Sequence, residues 1–108
     1  MSVNINTVYK EEKMLQEDRK DLKKETLDQK RAIDSLMEEF GAIDVYNQRA
    51  DACSDENLKK ILIHNRDEEK EHAVMLIEWL RQNDSKFSKD ILNIINLKTK
   101  DIASKESH

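Results

Sequence analysis

The chain of 108 residues has no proline and one glycine, Gly41. The two residue types that interrupt helices most strongly are therefore nearly absent, while Glu, Lys, Asp, Leu, Ile and Ala are abundant. Aromatic residues make up 5% of the chain, which leaves little material for a large core of its own. A single cysteine, Cys53, excludes an intramolecular disulfide and a zinc site built from cysteines. These absences predict an all-α fold.

Further absences limit the partners and the location that we expect. The formal net charge is −4, so the composition indicates no basic surface for nucleic acid. No apolar run approaches the ~18 residues that a membrane-spanning helix needs. Residues 1–9 lack the charged and then apolar layout of a signal peptide. We therefore expect a cytoplasmic protein that binds neither nucleic acid nor membrane.

The chain divides into three segments by composition. Residues 1–25 form a charged N-terminal arm, residues 26–97 have the apolar periodicity of a helical domain, and residues 98–108 form a polar tail. Thr26 and Gln29 have the spacing of a capping box, which predicts that the first helix begins there. Ser54 or Asp55 is the predicted N-cap of the second helix, which we expect to end at Asn83 and Asp84.

Apolar residues recur at helical spacing in two long stretches and one short one. In the first stretch they are Ile33, Leu36, Met37, Phe40, Ile43 and Ala50. In the second they are Leu58, Ile61, Leu62, Met75, Leu76, Trp79 and Leu80. In the third they are Phe87, Ile91, Leu92 and Ile95. The pattern predicts an antiparallel two-helix hairpin with a short C-terminal helix that folds back on it. Because two helices cannot enclose a core, we expect two hairpins to pair into a four-helix bundle, with a dimer as the smallest assembly.

Polar residues interrupt the apolar face of each long helix near its middle. The interrupting residues of the second helix are Asn65, Glu68, Glu69 and His72. Glu69 and His72 are three residues apart, so they share one face and could bind one metal ion. In the first helix the interruption is Glu39, and Tyr46 returns to nearly the same face seven residues later.

An ordinary explanation of these polar residues is a solvated surface, with Arg66 pairing with Glu69 from the flank. If the faces are buried, however, two unpaired carboxylates 4 Å apart repel by about 4 kcal/mol at intermediate dielectric, and a divalent cation removes that cost. Carboxylates with an imidazole suit iron or manganese. Di-iron bundles take one Glu from each of two helices and Glu-x-x-His from each of the other two. This chain supplies one of each, so two copies would supply a complete site.

Two alternatives remain open on these residues. A manganese or mixed-metal oxidase could use the same ligands as an iron enzyme. A helical oligomerisation module without enzymatic activity could instead use the polar residues to fix the register between helices.

Two stretches closely resemble the encapsulated ferritins, the ferritin-like cargo of encapsulin nanocompartments. They are RAIDSLMEEFGAIDVYNQRADA at residues 31–52 and LIHNRDEEKEHAVMLIEWLRQND at residues 62–84. The resemblance implies a two-helix protomer, a di-iron ferroxidase centre between paired subunits, and an open decameric ring. It implies oxidation of Fe(II) with oxygen for iron storage or detoxification inside an encapsulin shell. Calcium or manganese could occupy the centre as mimics of iron.

The resemblance also implies roles for individual residues. The metal ligands would be Glu39, Glu69 and His72, Tyr46 would lie beside the centre, and Glu38 would supply one carboxylate of an outer, metal-attracting site. Three positions depart from the family. Gly41 stands where the second carboxylate of the outer site is expected, which predicts a weaker outer site. Val45 stands where related sequences have Trp. The tail KTKDIASKESH has no Gly- and Leu-containing extension of the kind that docks such cargo to its shell.

Overall fold

The computed structural model describes residues 15–104, which form three α-helices. They are α1 (Lys24–Ala52), α2 (Glu56–Gln82) and α3 (Ser85–Ile95), with short 3-10 turns at Arg19–Asp21 and Ile102–Ser104. Over this range there is no strand, and no helix is long and apolar enough to cross a membrane. The predictions for residues 1–14 of the arm and 105–108 of the tail lie outside the described residues.

The helices are arranged as an antiparallel hairpin with a short third helix, as predicted. α1 packs along α2, to which it is joined by the three residues 53–55, and α3 contacts the C-terminal part of α2. One contact between α2 and α3 is the hydrogen bond that Arg81 Nη1 donates to Ser88 Oγ over 3.1 Å. The all-α fold and the hairpin are therefore confirmed.

Side chains near the connections define where α2 and α3 begin. The carboxylate of Asp55 accepts a hydrogen bond of 2.8 Å from the backbone N–H of Leu58, so Asp55 is the N-cap of α2. Asp84 caps α3 in the same way by accepting a hydrogen bond of 2.9 Å from the N–H of Phe87. Asn83 ends α2, as the sequence predicted.

The predicted capping box of α1 is wrong. The helix begins at Lys24, and the residue at its N-cap, Lys23, makes no side-chain capping hydrogen bond. Thr26 lies inside the helix, and the amide of Gln29 donates to the backbone carbonyl of Asn83 over 3.1 Å. The first turn instead has an ion pair one turn apart, Lys24 with Asp28 at 3.1 Å, which favours helix at residues that the sequence assigned to the arm.

Small residues line the contact between α1 and α2. The buried apolar residues are Ala32, Ala42, Ala50, Ala73 and Leu80. Many of the large apolar residues that the sequence placed in the core are exposed in the single chain. They include Ile33, Met37, Phe40, Leu58, Ile61, Met75 and Trp79. Alanines let two helices approach closely, but they leave the large side chains of the flanks without cover in the single chain; the pairing of two hairpins stays a prediction.

Replacing Gly41 with alanine is expected to stabilise the protein. Gly41 lies in the interior of α1, and a Cβ added there meets no atom of the chain within 4 Å. Alanine lowers the backbone entropy of the unfolded chain without a clash, so the free energy of unfolding should rise by about 0.5–1 kcal/mol. Urea denaturation of the two proteins measures the difference. Ala42→Leu is the matched contrast, because Ala42 is buried, and it should destabilise the fold.

Candidate metal centre

Glu39, Glu69 and His72 come together between the two long helices. Each offers one ligand atom, and these atoms all lie within 4.8 Å of one another. Nδ1 of His72 is 3.6 Å from Oε2 of Glu39 and 3.6 Å from Oε2 of Glu69. The structure thus brings together the three residues predicted to bind metal, and their role as ligands stays a prediction.

The helices bring these side chains together by simple geometry. Glu69 and His72 share a face of α2 because they are three residues apart. Glu39 reaches them from α1 because the two helices are antiparallel, so that the middle of α1 lies opposite the middle of α2. Ala42 lies about one turn from Glu39, and Ala73 is next to His72. Both alanines are buried, so no large side chain separates the two backbones there.

The centre is more enclosed on its carboxylate side than on its histidine side. Glu69 is 7% exposed and is the buried charged residue of the described chain. The side chain of Glu39 is 22% exposed, whereas that of His72 is 44% exposed. Oε2 of Glu39 is buried and has no hydrogen-bond partner among the described residues. A buried carboxylate oxygen without a hydrogen bond is costly, and a bound cation would satisfy it.

Arg66 does not supply the positive charge that the ordinary explanation required. Its guanidinium donates to Oδ1 of Asp67 over 3.0 Å and to Oδ1 of Asn47 over 3.1 Å. The pairing of Arg66 with Glu69 that the sequence allowed is therefore absent. The bond to Asn47 joins α2 to α1, and sequence reasoning missed it because no periodic pattern marks a polar pair between two helices.

The two carboxylates titrate as a pair. Burial raises the pKa of Glu39, and the nearby Glu69 acts in the same direction. A hydrogen bond from Glu39 lowers the pKa of Glu69. Ionising both carboxylates is therefore unfavourable, and as the pH rises the last proton of the metal-free pair leaves from Glu39. A metal ion would displace this proton and take its place between the carboxylates.

Replacing Glu39 with glutamine is expected to stabilise the metal-free protein. Because the pKa of Glu39 is raised on folding, its ionisation opposes folding, and stability should rise as the pH falls from neutrality through the raised pKa toward 4.5. The amide of glutamine can donate to Glu69 as the protonated carboxyl does, so the free energy of unfolding at pH 7 should increase by about 1 kcal/mol. The lowered pKa of Glu69 has the opposite effect, because its stabilisation is lost as the pH falls below 4.5.

Urea denaturation after chelator treatment, at pH 7 and at pH 5, tests this expectation. Glu71→Gln is the control, because Glu71 is an exposed residue of the same type on α2. If Glu39→Gln is less stable than the original chain at both pH values, ionisation of the Glu39 carboxyl does not oppose folding and the expectation is wrong.

Tyr46 and Glu38 lie on α1 but outside the group of three. Tyr46 is two turns beyond Glu39 and partly exposed, and the guanidinium carbon of Arg49 lies 5.9 Å from the centroid of its ring. Glu38 precedes Glu39 and is partly buried. The roles predicted for these two residues stay predictions.

Comparison with known proteins places the chain in a family. Residues 14–98 match the sequence model of the EncFtn-like family. The chain belongs to the EncFtn-like family. The resemblance drawn from residues 31–52 and 62–84 is thereby confirmed.

The EncFtn-like chain also matches individual relatives. An encapsulated ferritin-like protein from Rhodospirillum rubrum is 57% identical over 70 residues, which are 65% of this chain and 50% of that protein. A ferritin-like protein from Thermotoga maritima is 58% identical over 53 residues, or 49% of this chain and 46% of that protein. The chain thus matches about half the length of these curated relatives. A crystal structure of a protein from Nitrosomonas europaea superposes with a TM-score of 0.74 at 50% identity, covering 80% of this chain and 94% of that chain.

Proposed function

We propose that this EncFtn-like protein oxidises Fe(II) to Fe(III) with dioxygen at a di-iron site shared by two copies of the chain. The observation that carries the proposal is the convergence of Glu39, Glu69 and His72, with Oε2 of Glu39 buried and without a hydrogen bond to any residue from 15 to 104. Each copy would supply half of the ligands found in di-iron carboxylate bundles. Two irons held together can each give one electron, so that dioxygen is reduced by two electrons in one place.

The side chains of the centre suit this substrate in two ways. Carboxylates and an imidazole are ligands that iron accepts, and no thiolate that would favour zinc or copper is present in the group. Oxidation adds a positive charge to each iron, and the ionised carboxylates of Glu39 and Glu69 stabilise the more highly charged product. The residues therefore favour the ferric state as well as binding the ferrous one.

The surface around His72 supports pairing of two chains. On α2, Ile61, Met75 and Trp79 lie at helical spacing on the same side as His72, and all three are exposed. A second hairpin packed on this face would bury them and bring its own copies of the ligands to the centre. We propose a two-fold dimer of this kind, and a ring of ten chains by resemblance to the family.

The proposed function includes a separate shell protein that encloses the assembled chains. The relative from Rhodospirillum rubrum is named an encapsulated ferritin-like protein, and we propose that this chain likewise acts inside an encapsulin compartment, in iron storage or detoxification. Tyr46 is proposed to lie beside the di-iron site, and Glu38 to attract iron from its outer side. Without a second carboxylate at position 41, that outer attraction would be weak.

Aerobic addition of Fe(II), followed by ultraviolet absorbance and oxygen consumption, tests the activity. We expect ferric iron to form faster with the protein than in buffer, and oxygen to be consumed with it. Glu71→Ala, which changes an exposed carboxylate of α2 outside the group of three, should behave like the original chain. A protein that binds Mn(II) at Glu69 and His72 but leaves Fe(II) oxidising at the buffer rate would contradict the proposal.

A further inference from the structure

The fully buried residues between α1 and α2 contribute little to the register of the two helices. Four of the five buried apolar residues of the described chain are alanines. A large side chain seated between neighbours resists sliding, because moving it costs both packing and burial, but an alanine offers little resistance. A slip of one helical turn displaces a residue by 5.4 Å, which would separate Glu39 from Glu69 and His72. Polar contacts between the helices can therefore add to the register that the three-residue connection and the half-buried apolar residues provide.

Outside the metal centre, two hydrogen bonds among residues 15–104 join α1 to α2 or to its C-cap, Asn83, and they bracket the centre. Asn47 accepts from Arg66 over 3.1 Å on the side of the helix connection. Gln29 donates to the backbone carbonyl of Asn83 over 3.1 Å at the open end of the hairpin. Asn47 is about 12 Å along α1 from Glu39, and Gln29 is about 15 Å from it in the other direction. The Arg66 bond is thus the nearer of the two.

Arg66 is well placed to hold the helices without blocking the centre. Arg66 and His72 are each three residues from Glu69 on opposite sides, so they lie on opposite flanks of the buried face of α2. His72 is on the flank with the exposed apolar residues, where the second copy is proposed to pack. The guanidinium is itself oriented by Asp67, whose carboxylate accepts from Nε over 3.0 Å. Its planar fork binds Asp67 and Asn47 at once, so the guanidinium that contacts α1 is held in one orientation relative to α2.

We propose that Arg66 and Asn47 are positioning residues that hold Glu39 in register with Glu69 and His72. The inference rests on the proposed function, since it needs a metal that these three residues bind. Metal sites tolerate little misplacement of their ligands, so loss of the bond should weaken metal binding and change the coordination geometry without unfolding the hairpin.

Titration of the chelator-treated full-length chain with Co(II), followed by visible absorption, tests the proposal. Glu69→Ala defines the signal that belongs to the centre. Asn47→Ala, which removes an exposed side chain, should weaken Co(II) binding about fivefold and alter the spectrum. This loss of affinity is smaller than the loss of about tenfold or more that follows when a group in contact with a metal ligand is removed. Asn47→Asp keeps an acceptor for Arg66 and should restore both affinity and spectrum. If Asn47 only stabilised the fold, its replacement would leave the Co(II) spectrum unchanged, and Asn47→Asp would have no spectrum to restore.

Gln48→Ala is the matched control, because Gln48 is an exposed neighbour on α1 that makes no hydrogen bond among the described residues. Suppose that the original chain binds Co(II) and that Asn47→Ala gives the same affinity and spectrum as the original chain or as Gln48→Ala. The positioning role is then refuted, while the metal site stands. If the original chain and Glu69→Ala give the same titration, the metal site itself is wrong, and the positioning inference falls with it.

Discussion

Replacing Glu69 with alanine is expected to reduce Fe(II) oxidation by about a hundredfold or more. Even groups that only support a metal ligand change affinity or activity by about 10–100-fold when they are removed, and Glu69 is proposed to bind the metal directly. In a two-fold dimer one substitution removes the residue from both halves of the site. Glu39→Ala and His72→Ala should have effects of similar size for the same reason. Helical content should be retained, since alanine favours helix at each position.

The matched control for these ligand variants is Glu71→Ala. Glu71 has the same side chain as Glu69, lies two residues further along α2, and is exposed where Glu69 is buried. Rapid mixing with Fe(II) in air, and circular dichroism on the same samples, compare activity with folding. If any of the three variants oxidises Fe(II) at the original rate, that residue is not a ligand.

Metal is expected to raise the association constant of two chains by roughly a hundredfold. If the complete site exists only in the paired state, a cation that binds the dimer at a hundredfold excess over its Kd stabilises it by about 2.7 kcal/mol. In the metal-free dimer, facing copies of Glu39 and Glu69 would repel each other and oppose association. Chelator-treated protein should therefore contain more monomer, and Fe(II), or Mn(II) or Ca(II) as a mimic, should convert it to dimers and larger rings.

Light scattering on chelator-treated protein, with and without metal, measures this shift. Acid should weaken the shift, because protons compete with metal for His72 and for the carboxylates, of which Glu39 has a raised pKa. Glu69→Ala should respond little to metal at any pH. An identical mass distribution with and without metal would mean that assembly depends on apolar packing alone.

The helices could be predicted from the sequence where the signal was periodic or chemical. Apolar spacing located α1 and α2, and the short polar turn limited the N-cap of α2 to Ser54 or Asp55, of which the structure shows Asp55. The group of three residues could be predicted because Glu39, Glu69 and His72 interrupt otherwise apolar faces, and each interruption falls near the middle of its helix. Antiparallel packing brings the two middles together, so the sequence also indicated their proximity.

Other features could not be predicted from one sequence. Thr26 and Gln29 fit a capping box, but the helix begins earlier, at Lys24, and a motif of two residues does not reveal where the helix starts. The sequence predicted that a two-helix hairpin leaves apolar surface uncovered, but not that this surface includes Phe40 and Met75, because periodicity shows which face is apolar and not which of its residues the same chain covers. The partner of Arg66 depends on the register between the helices, which the sequence pattern does not determine.

The stoichiometry of the fast oxidation tests the central account most directly. If paired copies of Glu39, Glu69 and His72 form one di-iron site, anaerobically loaded protein exposed to oxygen should oxidise one Fe(II) per chain in a fast phase, and further iron should react more slowly. Titration of Fe(II) against the amplitude of that phase, with Glu69→Ala as the blank, measures it. A break at one iron per chain that the blank lacks is the predicted result. A titration without a break, or one identical to that of Glu69→Ala, would contradict the account.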